Sequence, residues 1–217
     1  MELVQFAIDF ILHLDRHLVE LLVRFDVWIY AILFLIIFAE TGFVVTPFLP
    51  GDSLLFAVGA LAAVDTTGTL QPLLASILLS IAAVLGNTVN YSIGAAIGPR
   101  AFTGQIPLLK VEYLRQTERF FERHGGKTIM LSRYVAIIRT FAPFVAGIGR
   151  MRYSSFQFYN IVGGVTWVLV FVWGGYLFGN IPIVKNNFGI VTIIIIVLSI
   201  LPVVYSFWNR DPSTPVK

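Results

Sequence analysis

Two acidic and two basic side chains lie in stretches of sequence that are otherwise almost free of charge. Glu40 and Asp52 flank an apolar stretch interrupted by proline and glycine, and Arg133 and Arg139 flank a second one. An uncompensated charge at bilayer depth costs about 2.5 to 3.5 kcal/mol, so four unpaired charges would rival the stability of a whole domain. We therefore expect the four side chains to meet in one shielded cavity, where their charges sum to zero. This pattern predicts a binding site.

The chemistry that these residues favour is phosphate recognition linked to a proton. A guanidinium stays charged and presents its donors in a planar fork that fits phosphate, and the N-termini of re-entrant helices would add backbone N–H donors. Without ligand, we expect Arg133 and Arg139 to pair with Glu40 and Asp52. A phosphate that competes for the arginines would leave the carboxylates repelling each other, and proton uptake by one acid would relieve that repulsion. The alternative is a quartet that only holds the two stretches together.

Composition places these residues in an integral membrane protein. The chain has 217 residues, of which 57% are hydrophobic and only 12% are charged, and this content is too apolar for an ordinary soluble domain. Residues 153–184 and 186–209 contain no Asp, Glu, Lys or Arg, and each run exceeds the roughly 20 residues that cross hydrocarbon as a helix. We therefore expect an all-α, multi-helix bundle. Because the basic excess is confined to one loop and helix, we expect no nucleic-acid partner.

The charges and interruptions divide this single membrane domain, residues 1–217, into seven predicted elements. Basic residues are concentrated in the loop and helix before the second interrupted stretch, which predicts that this part faces the cytoplasm. The elements are an interfacial amphipathic helix (1–26), a first re-entrant region (28–64), a transmembrane helix (70–98), a cytoplasmic amphipathic helix (110–125), a second re-entrant region (128–149) and two further transmembrane helices (153–180 and 187–208).

Proline and glycine indicate that the two re-entrant regions are broken helical hairpins. The first region contains Pro47, Pro50 and Gly51, and the second contains Pro143 and Gly147. Residues of these types at this density break a helix, and broken backbone at membrane depth persists only where protein or a wet cavity satisfies it. We assign the five residues to re-entrant turns. An ordinary helix kinked at proline is the alternative.

Further polar side chains lie close to these stretches. Thr140, Asn87, Asn90 and Tyr91 are expected either to line a path for the substrate or to form hydrogen bonds between helices. The chain has no cysteine and three histidines, of which His13 and His17 lie four residues apart and His124 lies far from both along the sequence. We expect no metal and no cofactor, since this set does not provide three or four ligands of the usual types.

Several short motifs carry a resemblance to a known family. The motifs are Phe38-Ala39-Glu40-Thr41-Gly42, Pro47-Phe48-Leu49-Pro50-Gly51-Asp52-Ser53, Ser132-Arg133-Tyr134 and Ile138-Arg139-Thr140-Phe141-Ala142-Pro143. On these motifs, and nearly from end to end, the chain resembles the bacterial DedA family, part of the wider VTT, or SNARE-associated, superfamily. Members of this family resemble lipid translocases and scramblases, including flippases for undecaprenyl phosphate and for phospholipids. The resemblance implies a multi-pass protein of the bacterial inner membrane, with functional residues at Glu40, Asp52, Arg133 and Arg139.

The chain departs from the family pattern at two places. Asn87 stands where relatives commonly have a carboxylate, which removes a third acid from the expected site. Residues 134–138 lack the proline that relatives often have between the two arginines, and we therefore expect this half to be more continuously helical.

Three functions compete on these grounds. The first is a flippase or scramblase for a phosphate-headed lipid, with protons and membrane lipids as further partners and with a homo-oligomer as one arrangement to test. The second is a membrane-embedded lipid phosphatase, which would also need paired arginines. The third is a noncatalytic membrane assembly factor. Because neither broken segment contains a histidine beside a nucleophile, we expect a protein that is not an enzyme.

Overall fold

A computed structural model describes residues 24–43, 51–65, 67–98, 111–179, 181–182 and 194. Within these ranges every regular element is helical. Three short 3₁₀ segments accompany the α-helices, at Asp26–Trp28, Gly125–Lys127 and Ser132–Tyr134. The helices are α1 (Ile29–Gly42), α2 (Gly51–Val64), α3 (Pro72–Ile97), α4 (Val111–His124), α5 (Thr128–Leu131), α6 (Ala136–Ile148) and α7 (Tyr153–Phe178).

Some sequence predictions concern residues outside the described ranges. These are most of the interfacial helix predicted over 1–26, the turn residues Pro47 and Pro50, and most of the transmembrane helix predicted over 187–208.

Two long helices, α3 and α7, form the centre of the described fold. Each has 26 residues and an apolar composition sufficient to cross a membrane, and at 1.5 Å per residue each is about 39 Å long, longer than the roughly 30 Å hydrocarbon layer. Proline at the first position begins α3, and Gly98, at φ 63°, follows its end. One face of α3 exposes large apolar side chains such as Leu73, Ile77, Ile81 and Leu85, as a lipid-facing surface does.

The shorter helices pack on this pair from different directions. Helix α1 packs on α3 through Ile29, Leu33 and Ile37, which recur every four residues and are fully buried. Helix α2 packs on α7, and α6 packs on α3. Helices α1 and α2 make little contact with each other. The first broken region therefore joins two helices that lie against different partners, and its two ends meet the rest of the molecule at the predicted site.

Glycines allow α2 and α7 to approach closely. A Cβ atom added at Gly175 would collide with the carbonyl oxygen of Phe56, and one added at Gly59 would collide with that of Val172. By contrast, a Cβ atom at Gly174 meets no atom within 4 Å. The crossing of the two helices therefore depends on the absence of side chains at Gly59 and Gly175.

This crossing gives a matched pair of substitutions. Gly175→Ala is expected to destabilise the protein by about 1 to 3 kcal/mol, because the α2 backbone must move away. Gly174→Ala is expected to be neutral or to stabilise by up to about 1 kcal/mol through helix propensity. Thermal unfolding of both variants in detergent measures the difference. Equal unfolding temperatures would contradict the close crossing.

The second broken region differs from the sequence prediction. The chain runs through α5 and a 3₁₀ turn, becomes extended at Val135 (φ −127°, ψ 103°) and then enters α6. Pro143 lies inside α6, and Gly147 packs against the carbonyl oxygen of Tyr91. Assigning Pro143 and Gly147 to the turn was therefore wrong. The helix tolerates Pro143 because residues 141–147 are all buried in the packed structure, which outweighs one lost backbone hydrogen bond.

The actual break also corrects the expectation of a continuous helix through residues 134–138. Helicity stops at Tyr134 and resumes at Ala136. The Ser132 hydroxyl donates to the carbonyl oxygen of Ile129 at 3.1 Å, and such local bonds compete with helix continuation. As a result, Arg133 and Arg139 lie on separate elements.

The loop between α2 and α3 is organised by Asp65. Its Oδ1 accepts from the backbone N–H of Thr67 at 2.9 Å, and its Oδ2 accepts from that of Leu70 at 2.7 Å. Partial desolvation of the carboxyl group opposes ionisation, but the hydrogen bonds from Leu70 and Thr67 outweigh it and hold the pKa of Asp65 below its ordinary value of 3.8. The ionised carboxylate therefore stabilises this turn.

Asp65→Ala is expected to lower the free energy of unfolding by up to about 1 kcal/mol, a small effect because the carboxylate is only partly buried. Since the native pKa of Asp65 is lowered, its contribution is fully present above the ordinary pKa and is lost as pH falls through the native value. Unfolding temperatures of wild type and variant should converge at a pH well below 3.8. A constant difference at every pH would show that the charge has no role.

Candidate functional site

Arg139 holds both predicted acids at once. Its Nη2 lies 2.6 Å from Glu40 Oε1, and its Nη1 lies 2.7 Å from Asp52 Oδ1. Glu40 comes from the end of α1, Asp52 from the first turn of α2 and Arg139 from the first turn of α6. All three side chains are almost completely buried. The planar guanidinium fork therefore joins three helices, with one Nη group on each carboxylate.

Arg133 lies in the same site but is held differently. Its Nη2 donates to Asn160 Oδ1 at 2.9 Å and to the carbonyl oxygen of Ala83 at 3.4 Å. Among the residues that the structure describes, no carboxylate lies within ion-pair distance of Arg133, and its buried Nε has no hydrogen-bond partner. The expectation that both arginines pair with the acids is therefore wrong for Arg133. It is a buried cation held by neutral groups.

Trp167 lies close to both arginines and also contacts an acid. Its indole Nε1–H donates to Asp52 Oδ1 at 2.7 Å. The guanidinium carbons of Arg133 and Arg139 each lie 5.7 Å from the centroid of its ring system, within the range of a cation–π interaction. Trp167 thus stabilises both cations and orients one carboxylate. A tryptophan in a charge-free membrane stretch is typical of an interface anchor or a packing residue, so the sequence alone does not indicate this role.

A second residue that sequence reasoning missed is Asn160. Its Oδ1 accepts from Asn87 Nδ2 at 3.0 Å as well as from Arg133. A signal was present in the sequence, because Asn160, Gly163, Gly164 and Trp167 lie at helical spacing on one face of α7. A Cβ atom at Gly164 would lie 3.1 Å from Arg133 Nη2. On this face of α7, Gly164 leaves space for the guanidinium, Asn160 accepts a hydrogen bond from it and the Trp167 ring lies near it.

The four predicted path-lining residues fall into two groups. Thr140 and Asn87 line the same cavity as Glu40, Arg133 and Arg139. Asn90 instead donates through Nδ2 to the carbonyl oxygens of Thr41, at 3.1 Å, and Thr140, at 2.8 Å. Tyr91 donates to the Met151 carbonyl oxygen at 2.6 Å.

Asn90 therefore connects the ends of the two broken regions, and Tyr91 lies outside the lining of the cavity. Gly51, the one first-region turn residue that is described, begins α2 and packs against the Glu40 carboxylate, since an added Cβ atom there would collide with Glu40 Oε2.

The space between these groups is narrow. Seven residues line it, and it has room for about one water molecule. The described conformation is thus a closed one, and a phosphate would have to separate some of the charged groups to enter. In the described part of the chain, no three histidine, aspartate or glutamate side chains cluster as metal ligands. The lining residues are Glu40, Thr41, Asn87, Arg133, Arg139, Thr140 and Trp167.

The described residues form an all-helical fold with two helices of membrane-spanning length and a buried charged site between broken helices. These features define an integral membrane protein with a polar interior site. The chain belongs to the DedA family, since the model of the VTT domain matches residues 49–177 and close relatives carry that name. The prediction of an all-α membrane protein of this family is confirmed.

Three relatives illustrate the similarity. Protein DedA of Escherichia coli (strain K12) is 53% identical over 203 residues, covering 93% of this chain and 92% of the relative. An uncharacterized membrane protein of Mycobacterium leprae is 39% identical over 185 residues, covering 84% of this chain and 82% of the relative. The inner membrane protein YqjA of Escherichia coli (strain K12) is 36% identical over 156 residues, covering 71% and 70%. No solved structure matches the chain.

Proposed function

We propose that this protein moves a phosphate-headed lipid, such as undecaprenyl phosphate or a phospholipid, across the bacterial inner membrane as a flippase or scramblase. It acts as a multi-pass membrane protein and not as an enzyme. The lipid tail stays in the bilayer while the headgroup passes the cavity. The observation that carries this proposal is the buried Arg133, which faces the cavity beside the Arg139 ion pairs and has no carboxylate partner in the described structure.

The energetic argument starts from the closed site. An isolated buried cation is costly, and here it is offset by neutral hydrogen bonds and by the Trp167 ring. An anion that entered beside Arg133 would supply the negatively charged hydrogen-bond acceptor that its guanidinium lacks in the described structure. The same anion could draw Arg139 away from Glu40 and Asp52, since a phosphate also offers oxygens for a bidentate guanidinium. Ligand entry and the opening of the ion pairs are therefore coupled.

Glu40 provides a place for a proton in this scheme. Its Oε1 accepts from Arg139, whereas its Oε2 is buried and has no hydrogen-bond partner in the described structure. When a phosphate occupies Arg139, the carboxylates of Glu40 and Asp52 lose their shared cation. A proton on Oε2 then removes one of two adjacent negative charges. Transport is proton-linked for this reason.

Reconstitution into liposomes tests the proposal. Fluorescently labelled undecaprenyl phosphate and, separately, labelled phosphatidylethanolamine are incorporated into vesicles with and without a pH gradient. We expect protein-dependent movement of at least one labelled headgroup to the opposite leaflet, measured by quenching from outside. Vesicles with Gly174→Ala protein serve as a control for reconstitution, since position 174 meets no neighbouring atom. Absence of translocation for every lipid and gradient would refute the proposal.

The same vesicles separate the transporter from the two alternatives. A lipid phosphatase would release inorganic phosphate from undecaprenyl phosphate or phosphatidic acid, and a colorimetric assay detects that release. An assembly factor would produce neither phosphate release nor headgroup movement. We expect headgroup movement without phosphate release, because the described lining of the cavity contains no histidine to act as acid, base or nucleophile.

A further inference from the structure

The two arginines of the site have different hydrogen-bond environments. Both Nη groups of Arg139 are bound to carboxylates, at 2.7 and 2.6 Å. Arg133 donates from Nη2 to an amide oxygen and a backbone carbonyl, and its buried Nε has no hydrogen-bond partner among the residues that the structure describes. Arg133 is only 4% exposed. Arg133 lines the polar cavity, and a buried guanidinium with an unsatisfied donor can bind a further hydrogen-bond acceptor.

Asn160 determines how Arg133 is oriented. Its Nδ2 donates to the carbonyl oxygen of Val84 at 3.0 Å, which turns Oδ1 toward Arg133 and Asn87. Two amides on α3 and α7 therefore fix one side of the guanidinium. Gly164 leaves room for the guanidinium, since an added Cβ atom would lie 3.1 Å from its Nη2. Gly163 allows α7 to approach the segment that carries Arg133, since a Cβ atom there would lie 2.9 Å from Met130 Cα.

The neutrality of this support matters for binding. A carboxylate in place of the Asn160 amide would form an ion pair with Arg133 and cancel its charge at the cavity. An amide supplies one acceptor and leaves the full positive charge available. The arrangement thus orients a cation without neutralising it.

We propose that Arg133 binds the phosphate group and that Asn160 is the positioning residue of Arg133. The ion pairs of Arg139 with Glu40 and Asp52 keep the site closed until a phosphate binds and separates them. This inference rests on the proposed function and adds a separate role for each arginine. The ligand is a phosphate whose oxygen accepts from Nε of Arg133. Asn87 assists by donating to the same Asn160 oxygen.

The test is phosphate binding by the full-length protein in detergent. Dihexanoyl phosphatidic acid, a short-chain lipid phosphate, is titrated against wild type, and affinity is read from the saturable rise in unfolding temperature. Dihexanoyl glycerol is the uncharged control, and inorganic phosphate is a separate titration. Asn160→Asp is expected to weaken binding of the lipid phosphate by about tenfold or more, because Arg133 gains a carboxylate partner. Its unfolding temperature without ligand should fall, because the new carboxylate oxygen cannot donate to the Val84 carbonyl oxygen as Asn160 Nδ2 does. The readout is therefore the ligand concentration at half-saturation of the rise, and not the unfolding temperature itself.

Gln157→Glu is the matched control. It makes the same amide-to-carboxylate change about one turn away on α7, and Gln157 Oε1, which accepts from Asn160 at 3.2 Å, is kept as an oxygen. Its affinity should equal that of wild type. Arg133→Lys is the second variant, to be used also if Asn160→Asp does not fold. A lysine keeps the charge but has no Nε–H fork, so we again expect a loss of about tenfold.

The outcomes are distinct. Equal affinities of wild type, Asn160→Asp and Arg133→Lys would overturn the assignment, even if wild type translocates lipid in vesicles. Weak binding by both variants, in a wild type that binds the probe but moves no lipid, would support the assignment and refute the proposed function. If inorganic phosphate stabilises wild type as strongly as the lipid phosphate, the receptor role of Arg133 stands and free phosphate is its ligand.

Discussion

Replacing Arg139 by glutamine is expected to lower the free energy of unfolding by about 3 to 5 kcal/mol, because it leaves two buried carboxylates without their shared cation. Glu40 and Asp52 are 1% and 5% exposed, so water cannot replace the lost partner. Three helices would also lose their common contact. Thermal unfolding in detergent, together with the fraction of monodisperse protein after purification, measures the effect.

A charge-neutral combination distinguishes structural loss from functional loss. In Glu40→Gln/Asp52→Asn/Arg139→Gln, all three members of the ion-pair cluster are neutral and none is left as an unpaired charge, so we expect most of the stability to return. Lipid movement should stay absent, because the cation that opens for the phosphate is gone. If the triple variant transported lipid at the wild-type rate, the ion pairs would serve only to hold the helices together. If Arg139→Gln were as stable as wild type, the ion pairs would contribute nothing to the fold.

The second large effect expected is complete loss of the response to a pH gradient in Glu40→Gln. Oε2 of Glu40 has no partner in the described structure, whereas Oδ1 of Asp52 accepts from both Arg139 and Trp167. Within the proposed proton-linked mechanism, we therefore assign the proton to Glu40. A glutamine has the same shape but cannot exchange a proton, so its transport rate should be the same with and without the gradient.

Asp52→Asn is the comparison for this experiment. It also removes one acid, but it leaves Glu40 able to bind a proton, so its transport should still respond to the gradient at a reduced rate. Rates are measured in the same reconstituted vesicles with the lumen buffered at either of two pH values. A gradient response in Glu40→Gln that matches wild type would place the proton elsewhere.

The acids and arginines of the site could be identified from the sequence because placing a charged side chain at bilayer depth costs free energy and therefore requires a partner. Glu40, Asp52 and Arg139 are conspicuous in stretches that are otherwise apolar, and a charge there needs a partner. The structure brings these three together. Which arginine would pair with the acids did not follow, because net charge is the same for either arrangement. That choice depends on where the backbone breaks between Arg133 and Arg139.

The neutral residues of the site were harder to recognise. Asn160 and Trp167 lie on a helix that contains no charged side chain. In such a helix a tryptophan usually predicts a packing residue, and an asparagine usually predicts a hydrogen bond between helices. Their roles depend on a guanidinium that comes from another part of the chain. The position of the break was missed for a related reason. Pro143 suggested a turn, but the packing of α6 on α3 keeps it helical, and the extended Val135 has no comparable marker in the sequence.

The hydrogen bonds of Asn90 have a consequence for how the molecule moves. A single NH₂ group on α3 binds the carbonyl oxygens of Thr41 and Thr140, which belong to the two halves that frame the cavity. Neither half can be displaced from α3 alone without breaking its share of this contact. We therefore expect the two halves to move together in one all-or-none rearrangement with few intermediate states, because both are hydrogen-bonded to the same Asn90 amide.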